Sequence, residues 1–511
     1  MALSTAIGTE RRTRTRGIKI RKGNFSETTP NLPQKIAIFG EANTVNQVGL
    51  TTEKKVITSA AEAGEMYGYG SPIHQQMRIL RPLSGDGVGG IPTVVFPQLS
   101  DVSATPTVDE WTIGGTATAN ATHTGVINGR RSLDFKNYSY SIVIGDTATV
   151  IAGKIKDAIN GVLSSPVLAS NVGGNLTITT KYAGATSAEL KTRFDSNNVD
   201  AGITYVKTST VAGGGSVDLA ESFLQISENE WYTLGCHSYG ADATILNAME
   251  VFNGRPDDET PTGRYDGRIM RPFAAIAFGS TLDDKDDLLA ITDVQARINQ
   301  NTNVLSAAPK SEGFSGEAAA NTIALMARVA QNTPELDVNA KYYPDMPVPE
   351  NGIIGDMAFL NNRDLLVKGG CSTVTLENGA YKIQDYVTTY HLEGESPLQY
   401  AYVRNLMLDF NIVYSYRILE ALHVLDHVIL NDGEVTDVLK SVKPKQWMAV
   451  LFDFFDDLVA RGLIADAEFS KNSLMVEKSD VNPDRFETFF RSKRTSIARI
   501  SSTDVEMGFN N

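Results

Sequence analysis

The 511 residues carry 42% hydrophobic and 21% charged side chains at a net charge of −14, the balance of ordinary globular protein, which excludes a disordered chain. At roughly 150 residues per domain, this length predicts about three or four units. No apolar run approaches the roughly 18 residues of a membrane span, and the basic, polar opening lacks the apolar stretch of a secretory signal, so a soluble protein made in a cytoplasm is expected.

Charge is unevenly distributed. Residues 1–24 hold seven Arg and Lys against Glu10 alone, a net +6, which leaves −20 on the rest. Such an arm is drawn to the acidic bodies of neighbouring copies. Nucleic acid is the alternative, but the acidic body repels phosphate and the arm has no aromatic residue before Phe25. Within the arm, Gly17-Ile18-Lys19-Ile20-Arg21 alternates like a strand and has no local mate. A polar linker, Ser26 to Pro33, follows it. Unpaired backbone donors and acceptors require a sheet edge elsewhere.

Lys35 to Gly40 reads as a buried strand, Ser59 to Tyr67 and Pro72 to Leu80 as helices, and Thr93 to Phe96 as a second strand, the start of an open α/β layer. From 101 to 215 the texture turns to Thr, Ala, Gly and Ser with short alternating runs, interrupted by a helix from Ala148 to Val162 striped with Ile151, Ile155 and Ile159. The α/β pattern then resumes, with strands expected at Tyr232 to Cys236, Phe273 to Phe278 and Asn303 to Ser306. Helices are expected at Ala241 to Phe252, Asp287 to Ile298 and Ser315 to Val329. The predicted fold class is therefore multidomain α/β, an open core domain (35–100 with 216–350) interrupted by a mainly β insertion (101–215).

An arm and linker (1–34) precede this core, and an α+β C-terminal assembly domain (351–511) follows it. The latter opens with a helix at Asn361 to Lys368 and a hairpin, Ser372–Leu376 and Ala380–Val387, around Asn378-Gly379, a dipeptide that favours the turn matching strand twist. Long helices are expected at about Pro397 to Leu430 and Pro444 to Arg461. Val481-Asn482-Pro483 reads as a linker, and Thr495 to Ser501 as a second strand without a partner.

Candidate chemistry is sparse. Gly85, Gly87 and Gly90 match G-x-G-x-x-G, but a strand follows instead of the helix a dinucleotide needs. His423 and His427 lie at i and i+4 without the glutamate or third ligand of a zinc site. Asp283 to Asp287 lacks the spacing of a calcium loop and suits a helix N-terminus. Cys236 and Cys371 are far apart and read as buried, reduced thiols. No nucleophile elbow or phosphate loop occurs, so no catalytic, cofactor or metal residue is assigned and assembly is the remaining theme.

The order of several short motifs resembles the tail sheath proteins of contractile-tailed bacteriophages over essentially the whole chain. These motifs are Gly17-Ile18-Lys19-Ile20, then Ile36 to Ala42, then Tyr67-Gly68-Tyr69-Gly70-Ser71-Pro72. Gly145-Asp146-Thr147, Ile151 to Ile155 and Tyr182-Ala183-Gly184 resemble that family's protruding β insertion. Asn378-Gly379-Ala380-Tyr381, Val387-Thr388-Thr389-Tyr390 and Tyr402-Val403-Arg404 resemble its back half. The resemblance implies a subunit of a virion tail, assembled in the host bacterial cytoplasm as stacked six-fold rings around a tail tube, with baseplate and tail terminator proteins as further partners. Contraction would drive the tube through the host envelope.

It also implies strand exchange. Neighbours would donate Gly17, Ile18, Lys19, Ile20 and Arg21 from one end and Ile497, Ala498, Arg499 and Ile500 from the other. The acceptor would be the hairpin bearing Val374, Leu376, Asn378, Gly379, Tyr381 and Ile383. The arm is longer and more basic than the family's usual short apolar start. Lys440, Lys443 and Lys445 either face an acidic tube or form a solvated loop. No nucleic acid, membrane or cofactor is expected. Two other readings remain: an α/β enzyme with a β substrate-binding insertion, or another tube or capsid component of a virion.

Overall fold

The computed structural model describes residues 30–256, 259–266, 271–395 and 398–508. The expected donor strand at Gly17 to Arg21 lies outside them. The chain forms two compact units, one of Asn31–Tyr414 with Arg494 onward, the other including Ser415–Lys493.

A six-stranded sheet organises the larger unit, in the order Asn303–Ala307, Ala275–Ser280, Leu234–His237, Ile36–Glu41, Thr93–Gln98, Lys55–Val56. The first five run parallel, and Lys55–Val56 closes the edge antiparallel. Residues on the five parallel strands are buried on both faces, which is why they read as near-continuous apolar runs. Ile36, Ile38, Val95, Leu234 and Cys236 meet helices Pro72–Leu80 and Ser315–Asn332 on one side. Ala37, Phe39, Val94, Phe96 and Ile276 meet Ala243–Asn253 on the other. The strand period of two thus supplies two separate cores.

Residues 108–211 build a four-stranded antiparallel sheet (Thr204–Val211, Val108–Gly114, Asn175–Thr180, Val167–Val172) and a three-stranded one (Thr192–Asp195, Ala121–Ile127, Ser139–Ile142). Their core closes on helix Ala148–Asn160 through Ile151, Ile155 and Ile159.

Several boundaries differ from expectation. The helix after the Asp284 cap is short, Lys285–Thr292, because Asp293 leaves helical geometry. The long C-terminal helix spans Val403–His423 and stops well before Leu430. Val481-Asn482-Pro483 is not a linker but the turn region of a hairpin, Met475–Lys478 with Phe486–Phe489. This hairpin belongs to the smaller unit, with helices Pro444–Ala460 and Ala467–Ser473. Its core is aromatic: Trp447, Phe454 and Phe455 are buried, and the Trp447 indole donates to the Thr488 hydroxyl at 3.1 Å.

Candidate functional site

The parallel strands place Ile36–Glu41 between Thr93–Gln98, which follows it in the chain, and Leu234–His237, which comes later. The strand order reverses at this point, and a crevice at the strands' carboxyl ends is where such sheets take small ligands. Here the protein fills that crevice itself. The 3-10 turn Ala185–Glu189 reaches it: Thr186 donates its hydroxyl proton to Glu41 Oε2 at 3.1 Å, beside Ser100, which donates to Oε1 at 2.6 Å. Glu189 Oε2 accepts the backbone N–H of Ser315 at 2.6 Å, at the start of the 18-residue helix Ser315–Asn332. An anion at a helix N-terminus is favoured by the unpaired N–H groups and the dipole, and the chain supplies that anion from its own sequence. Burial raises the pKa of Glu189 and pushes Glu41 up to about 7, against the hydroxyl bonds to Glu41.

An ion network joins the same segments. Arg130 Nη2 lies 3.0 Å from Glu317 Oε1, and its Nη1 lies 2.5 Å from Asp345 Oδ1, while Arg78 pairs with Asp134 at 3.0 Å. Neither this network nor the crevice is legible as a motif, because its members are scattered from 41 to 345.

The expected acceptor hairpin forms as Thr373–Glu377 and Ala380–Asp385. Its turn has φ +52° at Asn378 and +72° at Gly379, the left-handed pair that an Asn-Gly turn supplies. Val374, Tyr381 and Ile383 are buried in the main core of the larger unit, with the Tyr381 hydroxyl donating to the Pro309 carbonyl at 2.8 Å, and Leu376 packs against that core. One outer edge is already taken. Tyr343 N donates to Tyr381 O at 2.9 Å, Ile383 N to Lys341 O at 2.9 Å, and Ala340 N to Ile383 O at 2.8 Å. Only the Thr373–Glu377 edge lacks a backbone partner among the described residues.

The Met475–Phe489 hairpin differs in this respect. Among the described residues, neither Met475–Lys478 nor Phe486–Phe489 has an outer-edge backbone partner. Beside it lies a groove of about 570 Å³, floored by Tyr416, Trp447 and Phe486 and lined also by Glu420, Glu477 and Glu487. Arg485, paired with Glu487 at 2.8 Å, is the one cation in its lining. Sequence reasoning missed this hairpin because Val476 and Phe486 stand in short, charge-interrupted runs.

The remaining candidates divide. Thr495 to Ser501 forms no strand in the single chain. Lys440 is exposed; the Lys443 ammonium donates to the Glu434 carbonyl, and the Lys445 N–H donates to Asp432 Oδ1 at 2.9 Å. The helix ends at His423, so His427 does not share its face, and its ring nitrogen instead meets the Leu425 carbonyl at 2.9 Å. Among the described residues no cluster of three or more His, Cys, Asp or Glu is placed to hold a metal ion, and no helix is long and apolar enough to cross a membrane.

No protein-family model matches the sequence. A full-length relative does: the Mu-like prophage FluMu tail sheath protein of Haemophilus influenzae is 23% identical over 490 residues, 92% of this chain and 94% of its own. Among solved structures, the sheath tail protein of Desulfitobacterium hafniense aligns over 94% of this chain and 100% of its own at 10% identity and a TM-score of 0.45. The sheath of the extracellular contractile injection system PVC, in its contracted state, aligns over 97% and 98% at 8% identity and a TM-score of 0.46. The sequence match covers nearly the whole of both chains, and what this chain is similar to over that length is a contractile-tail sheath protein.

Proposed function

We propose that this chain is the structural subunit of a contractile tail sheath. It polymerises as stacked six-fold rings around a tail tube, meets baseplate and terminator proteins at the ends, and contracts to drive the tube through a host envelope. The observation that carries this reading is a hairpin whose two outer edges have no backbone partner among the described residues, in a chain whose two ends read from their sequence as alternating strands without a local mate. Two donors need two edges. The Thr373–Asp385 hairpin has only one, since Ala340–Tyr343 covers the other, so Met475–Phe489 is the better acceptor. Its groove carries Glu420, Glu477 and Glu487, opposite in sign to the arm.

A strand of about six residues makes several backbone bonds, each worth about 0.5–1.5 kcal/mol net, and these part only together. Subunits joined in this way rotate as rigid bodies without separating. A head-to-tail contact that does not close generates a helix. Lys440, Lys443 and Lys445, whose ammonium groups pair with no carboxylate among the described residues, are the proposed contact to an acidic tube. The enzyme reading is disfavoured by the crevice, whose ligand positions are held by Thr186 and Glu189.

Deleting Met1 to Lys22 tests the proposal. The truncated chain should remain folded and soluble while striated hollow cylinders disappear from negative-stain fields. Long tubes from the truncated protein would overturn strand donation by the arm.

A further inference from the structure

The C-terminal segment, expected from its sequence to be donated from Thr495 to Ser501, is bound in its first half to its own unit by arginine contacts. Arg494 grips Asp409 with two nitrogens, Nε to Oδ1 and Nη2 to Oδ2, each at 2.5 Å. Arg404 donates to the Thr495 carbonyl at 2.6 Å and to its hydroxyl at 2.8 Å. Arg499 pairs with Asp337, whose side chain is 4% exposed, and its guanidinium carbon lies 3.8 Å from the centre of the Tyr402 ring. Exposure alternates to match: Thr495, Ile497 and Arg499 are half-buried, whereas Ser496, Ala498 and Ile500 are exposed.

Beyond Arg499 the pattern stops. Every residue from Ile500 to Gly508 is exposed, with Ile500, Val505 and Met507 at 90%, 66% and 90%. Moving 495–499 onto another subunit would strip the buried Asp337 carboxylate of its guanidinium and leave it only the Val338 N–H, a larger loss than any neutral strand bond repairs. Moving 500–508 breaks none of these contacts. Asp504 and Glu506 alternate with Val505 and Met507, opposite in sign to the arginine-rich arm that every copy carries at 11–22.

We infer that residues 494–499 are a fixed root and that the donor at this end is Ile500 to Met507, seating on a second copy of this chain, with Arg499 setting the point of departure. This rests on the strand-donation reading above and reassigns one of its two donors. Ile497 and Ala498 lie within the root that Arg494, Thr495 and Arg499 hold, and Ile500 begins the part that leaves.

Three deletions and one substitution test it in the full-length protein, read by sedimentation, electron microscopy and trypsin cleavage after Arg499. Removing 500–511 should abolish polymers without changing the melting temperature. In the intact soluble chain, cleavage after Arg499 should already be slow, and about tenfold faster in soluble Asp337→Asn. Polymers that survive loss of 500–511 but vanish on loss of 495–511 would overturn the root and keep strand donation. Cleavage after Arg499 in the soluble chain as fast as in Asp337→Asn would overturn it too, since the single chain would then hold no anchor there. If polymers survive loss of 495–511 and of Met1 to Lys22 alike, strand donation itself fails.

Discussion

Glu189 Oε2 accepts the backbone N–H of Ser315 at 2.6 Å, so an insertion residue caps the helix whose N-terminus faces the carboxyl ends of the parallel strands. An open α/β sheet normally leaves this place for an anionic ligand. Filling it with the chain's own carboxylate turns a binding crevice into a joint that holds the β insertion to the core.

Replacing Glu189 by Ala should leave the Ser315 N–H buried and unpaired. Such a group costs about 1–3 kcal/mol. Urea unfolding monitored by tryptophan fluorescence should show that loss, with Glu189→Gln, which keeps an acceptor, closer to wild type. An unchanged Glu189→Ala midpoint would contradict the joint.

Glu41 makes the same joint sensitive to pH. Burial raises its folded pKa from the ordinary 4.5 to about 7. The native state therefore binds the proton more tightly than the unfolded chain does, so the contribution is complete below about pH 4.5 and is lost as pH rises to about 7. Glu41→Gln should grow more stable relative to wild type across that interval. A difference between the two that is flat from pH 4.5 to 7.5 would exclude the assignment. His74 and His237, both pushed down to about 3 by burial, act in the opposite direction. Their contribution is present above about pH 6.5 and is lost towards pH 3 in both proteins, so the comparison with Glu41→Gln isolates the carboxylate.

Arg130 bridges Glu317 and Asp345. Arg130→Ala leaves Glu317, whose side chain is 3% exposed, as a buried charge without its partner, a change that typically costs about 3–5 kcal/mol. The double variant Arg130→Met with Glu317→Leu should recover much of that loss. A double mutant as unstable as the single one would show that the ion pair is not the main term.

Reversing Glu477 and Glu487 to Lys in the groove of the smaller unit should weaken polymerisation and leave the soluble chain folded, because both sit on a half-exposed hairpin. Sedimentation against salt is the measurement. Wild-type assembly should weaken as salt rises, since an arm of net +6 meets a screened acidic surface, and the reversed protein should lose that dependence. Equal assembly by both proteins would remove the groove as the arm's dock.

Much of the α/β layer was legible. Ile36 to Phe39 and Ala275 to Phe278 are buried on both faces, so their apolar runs announce parallel strands with no tertiary information. Ser59 and Ser71 announce helix starts, and their hydroxyls accept from Glu62 N and His74 N. Asn378-Gly379 announces its turn. The helix ending at His423 and the hairpin across Val481 to Pro483 were not legible, since local propensity allows helix through Leu430 and a loop at Pro483, and packing decides both.

The sequence by itself determined the layered α/β core, the β-rich stretch that interrupts it and the basic arm, because each follows from period, turn chemistry or charge within a short window. Only the tertiary structure decided which edges are open, that Ala340–Tyr343 already pairs with the expected acceptor, and that Glu189 and Thr186 occupy the crevice. These are meetings of residues tens to hundreds of positions apart, and backbone hydrogen bonds carry no side-chain signature by which a sequence could announce them.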